Sequence, residues 1–562
     1  LYNLNNRKEG DMKRDTFIRG TFIATTCIIL TKILGILYVI PFYAIVGDEG
    51  VIIYGAAYNI YVIFLNISTI GLPLAISKLV SEYHALGYER TKQRTYKIAG
   101  TIMIVSSIIV TVLLFVLAPF IATNIISVPD GYSEAFLVSE ITNVIRVSAS
   151  AIIFVTLISM MRGYLQGMKY IQPSSISQVI EQAVRVVIIL VGSYTAIHIF
   201  GATIGMAVAI AVFAATLGSM AAYIYLKRKK KQIPKTILHQ EEPPITRKEI
   251  LKKIASYTIP LIIMQLIMSA FQMVGMFTIV RTLTEHAQYA IEEAAIIMNI
   301  QTTLGQKLNG IVVAIGMGVV ISLLPSLTND YTKKDIDAVK YKINKALQIL
   351  LYLTIPMAVG LSFLAEPVWL MFYGESAYGP NIFQISVFIS LFVSLFTTVL
   401  ITLQSLSRYK ALYIALISGF LFNVIMNIPL MLLFHHIGLP IYLGNVVSVI
   451  IGMTIAITIG LYDVKKHLDI KYSNTFKQAI FIVASALIMY VSLTGISHFI
   501  PITNLSREMS IVIIALYSIV GACIYFILTY ITKTFNNVIG TKLLSEIFKT
   551  KKEHLSYRPE DN

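Results

Sequence analysis

Five charged residues stand inside stretches otherwise apolar enough to cross a membrane: Lys32, Arg146, Glu181, Arg185 and Lys307. An ionisable group near a bilayer centre costs roughly 2.5–3.5 kcal/mol on insertion scales, so each is a candidate functional residue. Four cations against one anion leave the set net positive. Polar faces surround them. Gln178, Glu181, Gln182 and Arg185 fall at i, i+3, i+4 and i+7, one stripe along a helix. Within it, Glu181 and Arg185 can pair at i, i+4. Thr142, Arg146 and Ser150 share a second face, with Asn143 beside it. Gln301, Gly305 and Asn309 share a third, bordered by Gln306 and Lys307, and Gly305, Gly310, Gly316 and Gly318 permit close approach or local unwinding there. Such stripes face water or one another, because lipid supplies no hydrogen-bond partner. A surplus of cations at that depth repels a cationic drug and suits phosphate or diphosphate through charge-assisted hydrogen bonds. Soluble anions and lipid-linked phosphates both remain open on this ground.

Each group also has a purely structural reading. Glu181 and Arg185 can form a self-contained pair, and Arg146 can be neutralised by Glu140 on its own span. Arg19, Lys78, Arg162 and Arg281 lie near span ends, where long cationic side chains reach the interface. Asn423 and Asn427, at i, i+4, read as glue between helices rather than an ion site. Lys32 and Lys307 have no acid within a turn on their own helices, which makes them the sharpest candidates for lining a substrate cavity.

Enzyme chemistry finds no support. The chain has no G-x-x-x-x-G-K-[ST] for a nucleotide phosphate, no H-E-x-x-H and no G-x-S-x-G. Cys27 and Cys523 both sit in apolar stretches and form neither a disulfide framework nor a metal pair. No cofactor and no metal are expected.

The elements that must hold these residues are transmembrane helices. Only 13% of the 562 residues are charged, 56% are hydrophobic and the mean hydropathy is +0.75, against about 25% charged in soluble domains. A span needs roughly 20 apolar residues. Fourteen are expected: 17–46, 51–80, 98–126, 136–161, 173–199 and 201–226, then 254–283, 294–327, 343–372, 382–406, 411–434, 437–462, 479–500 and 508–532. The break at Ile199-Phe200-Gly201 is the weakest boundary.

The polar stretch 227–253, with Pro243-Pro244, divides six spans from eight. Basic residues recur in every second loop, which places both termini in the cytoplasm and accounts for the net charge of +16 without nucleic acid. No cleavable signal is expected, and Met12-Lys13-Arg14 would make a natural start. The halves also resemble each other at offsets of about 240 residues. Leu74-Ala75-Ile76-Ser77-Lys78-Leu79 matches Val319-Val320-Ile321-Ser322-Leu323-Leu324. Leu165-Gln166-Gly167-Met168-Lys169 matches Ser405-Leu406-Ser407-Arg408-Tyr409.

The expected architecture is therefore an all-α integral membrane protein with two six-helix lobes related by repeat and two extra C-terminal helices. Its parts would be a cytoplasmic segment 1–16, an N-lobe 17–226, a basic loop 227–253, a C-lobe 254–462, a final helix pair within 463–532 and a cytoplasmic tail 533–562.

Two segments carry a family resemblance. Thr31-Lys32-Ile33-Leu34-Gly35 is similar to the Ser-Arg-x-Leu-Gly segment of the MurJ-type lipid II flippases. Gly316-Met317-Gly318 followed by Leu324-Pro325-Ser326-Leu327 resembles the end of their eighth helix, and Lys307 falls where they carry a functional arginine. The resemblance covers nearly the whole chain and points to the multidrug/oligosaccharidyl-lipid/polysaccharide exporter superfamily, near its MurJ-like and stage V sporulation protein B-like members. It implies a multi-pass cell-membrane protein of peptidoglycan biosynthesis and cell shape, working beside the cell-wall synthesis machinery; the repeated lobes would form a complete transporter by themselves, so a monomer is expected.

It further implies a central cationic cavity for the diphosphate–sugar head of an undecaprenyl-linked precursor, alternating access, and a groove for the lipid tail on the last two helices. Both matched arginines are lysines here, which keeps the charge but loses the bidentate fork. A further family arginine on span two is replaced near Leu65-Asn66. The acids that bind sodium in some members have only Asn423 and Asn427 on span eleven, and Gln265, Ser269 and Gln272 on span seven, as counterparts, which leaves membrane potential as the drive. The readings to be separated are a lipid II flippase, a flippase for another polyprenyl-linked oligosaccharide, a multidrug or cation antiporter of the same superfamily, and a non-transporting scaffold of cell-wall assembly.

Overall fold

The computed structural model describes residues 20–35, 37–69, 71–124, 134–232, 242 and 244–539. Arg19, residues 125–133 around the expected loop between spans three and four, the side chains of Asn66 and Gln272, and most of the expected terminal segments therefore lie outside the described residues. So do 233–241 and Pro243 of the basic loop.

The chain is helical. It runs α1 (Gly20–Gly35), α2 (Val39–Thr69), α3 (Leu72–Ala85), α4 (Glu89–Asn124), α5 (Glu134–Gly167), α6 (Ile171–Val187), a π-helical turn Ile188–Gly192, α7 (Ser193–His198) and α8 (Ile204–Lys231). Then follow α9 (Arg247–Ala287), α10 (Ile291–Asn299), a second π-helical turn Ile300–Leu304, α11 (Gly305–Thr332), α12 (Ile336–Phe363), α13 (Ala365–Tyr373), α14 (Gly379–Ser405), α15 (Tyr409–His436), α16 (Tyr442–Leu468), α17 (Ser473–Ser497), α18 (Arg507–Ile531) and α19 (Thr534–Val538). Among the described residues, twelve helices are long and apolar enough to cross a membrane, and the protein is a multi-pass membrane protein. These twelve coincide with expected spans three to fourteen, and the weak boundary at 199–201 is a turn with Gly201 at φ 60°.

The first two expected spans are divided differently. The polar Gly47-Asp48-Glu49-Gly50 reads as a loop, yet helix runs through it. Gly47, at φ 65° and ψ −174°, makes only a kink inside α2, a conformation open to glycine and costly for other residues. Span 51–80 is broken at Gly71, where φ is 73°, and a proline in the first turn starts α3. Close approach forbids a side chain there as well, since a Cβ on Gly71 would sit 3.0 Å from Leu261 Cβ.

Two compact units form. One comprises Ile23–Gln265 with Leu324–Lys334. The other comprises Leu266–Leu323 and the described residues of Leu1–Phe22 and Asp335–Asn562. The first is built around α2, α4, α5 and α8, whose inward positions (Phe42, Ile53, Leu114, Ile145, Ile152 and Ala207, Ala211, Ala214 and Ala215 of α8) form one apolar core. Small residues on α8 let helices approach closely where hydrophobic burial gives no drive. In the second unit α15 and α16 cross at two glycines. A Cβ on Gly419 would lie 2.4 Å from the Gly452 carbonyl oxygen, and one on Gly452 would lie 2.7 Å from that of Gly419. α17 packs on α12, and α18 on α13.

One turn recurs, in a register the sequence match misses by two positions. After α5, the N–H of Lys169 donates to the Gln166 carbonyl and that of Tyr170 to Leu165. After α14, Ser407 donates to Gln404 and Arg408 to Leu403. Both are Schellman closures with a left-handed residue, Lys169 (φ 64°) or Ser407 (φ 58°). Leu165-Gln166 thus corresponds to Leu403-Gln404 rather than to Ser405-Leu406.

Candidate functional site

The charged site grows out of the α5–α6 hairpin. The Schellman turn reverses the chain, so the end of α5 and the start of α6 run side by side. Arg162 on α5 then faces Ser177 and Glu181 on α6. Its Nε donates to Ser177 Oγ at 2.8 Å and one terminal nitrogen to Glu181 Oε2 at 2.8 Å. The other carboxylate oxygen accepts from Arg185 at 2.9 Å, four residues along the same helix. Side-chain exposures of 14%, 12% and 19% for Arg162, Glu181 and Arg185 place all three in the interior. Glycine fixes the depth of α6, because a Cβ on Gly218 of α8 would lie 2.5 Å from the Glu181 carbonyl oxygen.

This corrects two expectations. Arg162 does not reach for an interface; it shares Glu181 with Arg185. The pair is therefore a triad with one positive charge in excess. Arg185 also lies within electrostatic reach of Tyr54, Tyr58 and Tyr61 on α2. These tyrosines sit at i, i+4 and i+7, a spacing that would have exposed them in the sequence. The Tyr54 and Tyr58 rings stack at 5.5 Å, and Tyr38 and Tyr54 share a hydroxyl contact of 2.9 Å. A cation lined by phenols suits an anionic or sugar-bearing group, since phenols both donate and accept.

Lys32 lies three residues before Gly35, where a Cβ would meet Gln182 Nε2 at 3.3 Å. Its helix therefore packs on the polar stripe of α6. Lys32 itself is exposed and has no ion-pair partner among the described residues. Gln178 on that stripe is half-buried.

Arg146 goes elsewhere. Its guanidinium carbon lies 5.1 Å from the Phe115 ring centre on α4, and its buried Nε has no hydrogen-bond partner. Glu140 does not neutralise it. That carboxylate packs on α8, where a Cβ on Gly205 would clash with it; six residues of helix turn the two side chains to different faces. Ser150 turns toward Thr216 at 2.9 Å. The structure joins Arg162, Glu181 and Arg185 but leaves Arg146 outside their hydrogen-bonded chain.

The other unit holds a neutral counterpart. The Gly419–Gly452 crossing brings Asn423 and Asn427 on α15 against Asn445 and Ser448 on α16. Asn445 donates to Gln301 Oε1 at 2.9 Å, Asn427 to Asn445 Oδ1 at 2.8 Å, and Ser448 to Asn423 Oδ1 at 3.0 Å. Gln301 donates to the Tyr442 carbonyl, Thr278 to Asn427 Oδ1 at 2.8 Å and Asn423 to the Phe271 carbonyl. Asn423 and Asn427 are indeed glue between helices, and they lie inside a larger network than their own spacing indicates. Asn309 donates to the Ser386 carbonyl at 3.2 Å, and its buried Oδ1 has no partner. Gln306 is half-buried, and Lys307 is exposed without an ion pair among the described residues. The unwinding expected around Gly305 is the π-helical turn just before it, and Gly316 approaches Ser394, where a Cβ would meet Cβ at 2.7 Å.

Lys78 also departs from expectation. It is 1% exposed, with its amine 4.2 Å from the Tyr257 ring centre. Beside it Glu82 accepts from Lys253 at 2.6 Å and from the Tyr257 hydroxyl at 2.7 Å.

Comparison with known proteins adds the rest. Over 540 residues the chain is 27% identical to the lipid II flippase MurJ of Bacillus subtilis (strain 168), covering 94% of this chain and 97% of that protein. It is 30% identical over 180 residues to stage V sporulation protein B of the same organism, a third of each chain (32% and 33%). Among solved structures it resembles an outward-facing multidrug resistance MATE family transporter of the MOP superfamily, at TM-score 0.63 and 14% identity. It also resembles a MOP superfamily transporter from Pyrococcus furiosus, at TM-score 0.62 and 15% identity. Both alignments cover 82% of this chain and 98% of the other. These establish a MOP-type fold. The family model for polysaccharide biosynthesis proteins matches residues 17–327, more than half of the sequence, and the chain belongs to the polysaccharide biosynthesis protein family.

Proposed function

We propose that the protein is a flippase that moves an undecaprenyl-diphosphate-linked peptidoglycan precursor, lipid II, from the inner to the outer leaflet by alternating access. The observation that carries the reading is the Arg162–Glu181–Arg185 triad, two guanidiniums on one carboxylate buried among membrane-spanning helices. An excess cation there costs several kcal/mol unless an anion answers it. A diphosphate is such an anion, and the end-to-end similarity to MurJ supports its lipid-linked form. In this reading Lys32, Arg146, Arg185 and Lys307 attract the diphosphate, while Glu181, Gln178, Gln306 and Asn309 orient the sugar. Lysine at 32 and 307 binds phosphate as a point charge rather than a fork.

The architecture that goes with this function has fourteen spans, both termini in the cytoplasm, two six-helix lobes at 17–226 and 254–462 joined by the basic loop 227–253, and a tail groove on the helices at 479–500 and 508–532. A single chain supplies both lobes, so a monomer suffices.

A multidrug or cation antiporter shares the fold but needs an intramembrane acid for its cation or proton. Glu181 already answers two arginines, which counts against that role. The test is exposure of lipid II at the outer face of cells depleted of this protein, with wild-type, Lys32→Ala or Lys307→Ala copies restored at equal levels. Exposure should fall on depletion, return with wild type and stay low with either variant. Unchanged exposure on depletion would remove lipid II as the cargo and direct the search to other polyprenyl-linked sugars. Drug hypersensitivity with a normal wall would favour the antiporter.

A further inference from the structure

The first unit carries a second cationic feature, on its outer surface. α4 begins with Arg90, Arg94 and Lys97 at i, i+4 and i+7, then carries no further charge and is mostly apolar. The end of the basic loop is pinned against this start. Glu242 accepts from the backbone N–H groups of Arg90 and Thr91 at 2.6 and 2.8 Å and from the Thr91 hydroxyl at 2.9 Å. Arg94 donates to the Ile245 carbonyl at 2.9 Å. Helix α9 then starts at once with a reciprocal cap, in which the Thr246 N–H donates to Glu249 and the Glu249 N–H to the Thr246 hydroxyl. The strap thus fixes the first turns of α9 beside α4.

Between the two helices lies a groove of about 510 Å³. Two cations, Lys97 and Arg247, stand at its polar end. Its length is lined by Ile102, Val105, Ile109 and Leu251, and no acidic residue lines it. Their neighbours Glu89, Glu242 and Glu249 are spent on Lys92, on the α4 N-terminus and on the α9 cap. Among the described residues neither Lys97 nor Arg247 has an ion-pair or hydrogen-bond partner for its side chain. The walls face outward: Val105 is 49% exposed and Ile109 60%, on the side of α4 that continues through the equally exposed Val112 (56%) and Val116 (65%), within a helix long and apolar enough to cross a membrane. Dimensions agree as well. From Lys97 to Ile109 the helix rises about 18 Å at 1.5 Å per residue, close to the roughly 15 Å of hydrocarbon in one leaflet.

We propose that this groove is a binding site for one anionic phospholipid, with its phosphate on Lys97 and Arg247 and an acyl chain along Ile102, Val105 and Ile109. The lipid bridges α4 and α9, and its single negative charge is shared by the two cations that the strap leaves unanswered. A zwitterionic lipid fits the same groove but carries a cation back to the pair, so discrimination rests on headgroup charge. The site is independent of what the protein transports.

The test is native mass spectrometry of the delipidated full-length protein titrated with dioleoyl phosphatidylglycerol or dioleoyl phosphatidylcholine. Wild type should bind one phosphatidylglycerol about tenfold more tightly than phosphatidylcholine. The double variant Lys97→Ala/Arg247→Ala should lose that preference, and Lys97→Arg should keep it. Lys465→Ala/Lys466→Ala, exposed cations on α16, should also keep it. Ser106→Phe, which fills the groove and leaves both cations, should weaken phosphatidylglycerol binding about tenfold. Thermal unfolding of the Lys97 and Arg247 variants without lipid should match wild type, because among the described residues those side chains hold no partner. The proposal fails if the double variant binds phosphatidylglycerol within twofold of wild type, or if wild type does not distinguish the headgroups. It fails equally if millimolar glycerol phosphate displaces the lipid, which would make the cations a site for a soluble phosphate.

Discussion

The two units solve the same problem, polar groups inside a membrane, in opposite ways. In one, α5 and α6 bring together Arg162, Glu181 and Arg185, with one charge left over. In the other, α15 and α16 bring together Asn423, Asn427, Asn445 and Ser448 with Gln301 and Thr278, and each amide is answered by a neighbour without any charge. Both clusters are positioned by glycine contacts that let helices nearly touch, at Gly218 and at Gly419–Gly452. The difference lies in what remains unsatisfied. A neutral network that closes on itself holds helices and asks for nothing further. A triad with surplus charge leaves one positive charge uncompensated, which is the feature the proposed function uses.

The largest effect should come from breaking the triad at its centre. Glu181→Ala leaves two inward guanidiniums facing each other and should cost about 3–5 kcal/mol, read by thermal or chemical unfolding of the purified protein. Removing Arg185 as well should restore part of that loss; if the double variant is less stable than the single one, the shared-carboxylate geometry is wrong. Asn445→Ala, which strands its partners Gln301 and Asn427, should cost about 1–3 kcal/mol and leave transport per folded molecule unchanged. A loss of transport without loss of stability would give the amide network a role in the cargo path.

The smallest effect concerns the strap. Burial pushes the Glu242 carboxyl up, but the backbone N–H groups of Arg90 and Thr91, the Thr91 hydroxyl and the Arg90 charge outweigh it and hold the group below its usual range. A depressed carboxyl contributes stability above its unfolded value, lost as pH falls through the folded one. Docking of the strap should therefore be complete at neutral pH and weaken only below about pH 4. Amide exchange at Arg90 and Thr91, corrected for intrinsic rates, reads this directly. In Glu242→Gln the pH dependence should vanish, and its persistence would mean another group controls the strap.

How much of this was visible beforehand depended on how far apart the partners lie in the chain. Glu181 and Arg185 pair within one helix, so their spacing announced them. Arg162 did not announce itself, because its partner is on the next helix and contact requires the turn at Lys169. Lys78 and Tyr257 are farther apart still. Asn423 and Asn427 were legible as glue from their own spacing, whereas Asn445 and Thr278 entered only through helix crossings. Twelve spans followed from hydropathy alone. The first two did not divide as composition implies, since a polar tetrad beginning with Gly47 was absorbed as a kink while an apolar run was cut at Gly71. Backbone dihedrals outweighed composition at both places.

The most direct test of the contrast is equilibrium binding of purified protein to an undecaprenyl-diphosphate-linked sugar, comparing Lys32→Gln with Asn445→Ala. Lys32 has no ion-pair partner among the described residues, so its substitution should leave the fold intact yet weaken binding about tenfold, or about 1.4 kcal/mol. Asn445→Ala should bind within twofold of wild type once corrected for the folded fraction. Unchanged binding by Lys32→Gln, with a tenfold loss in Asn445→Ala, would contradict the account.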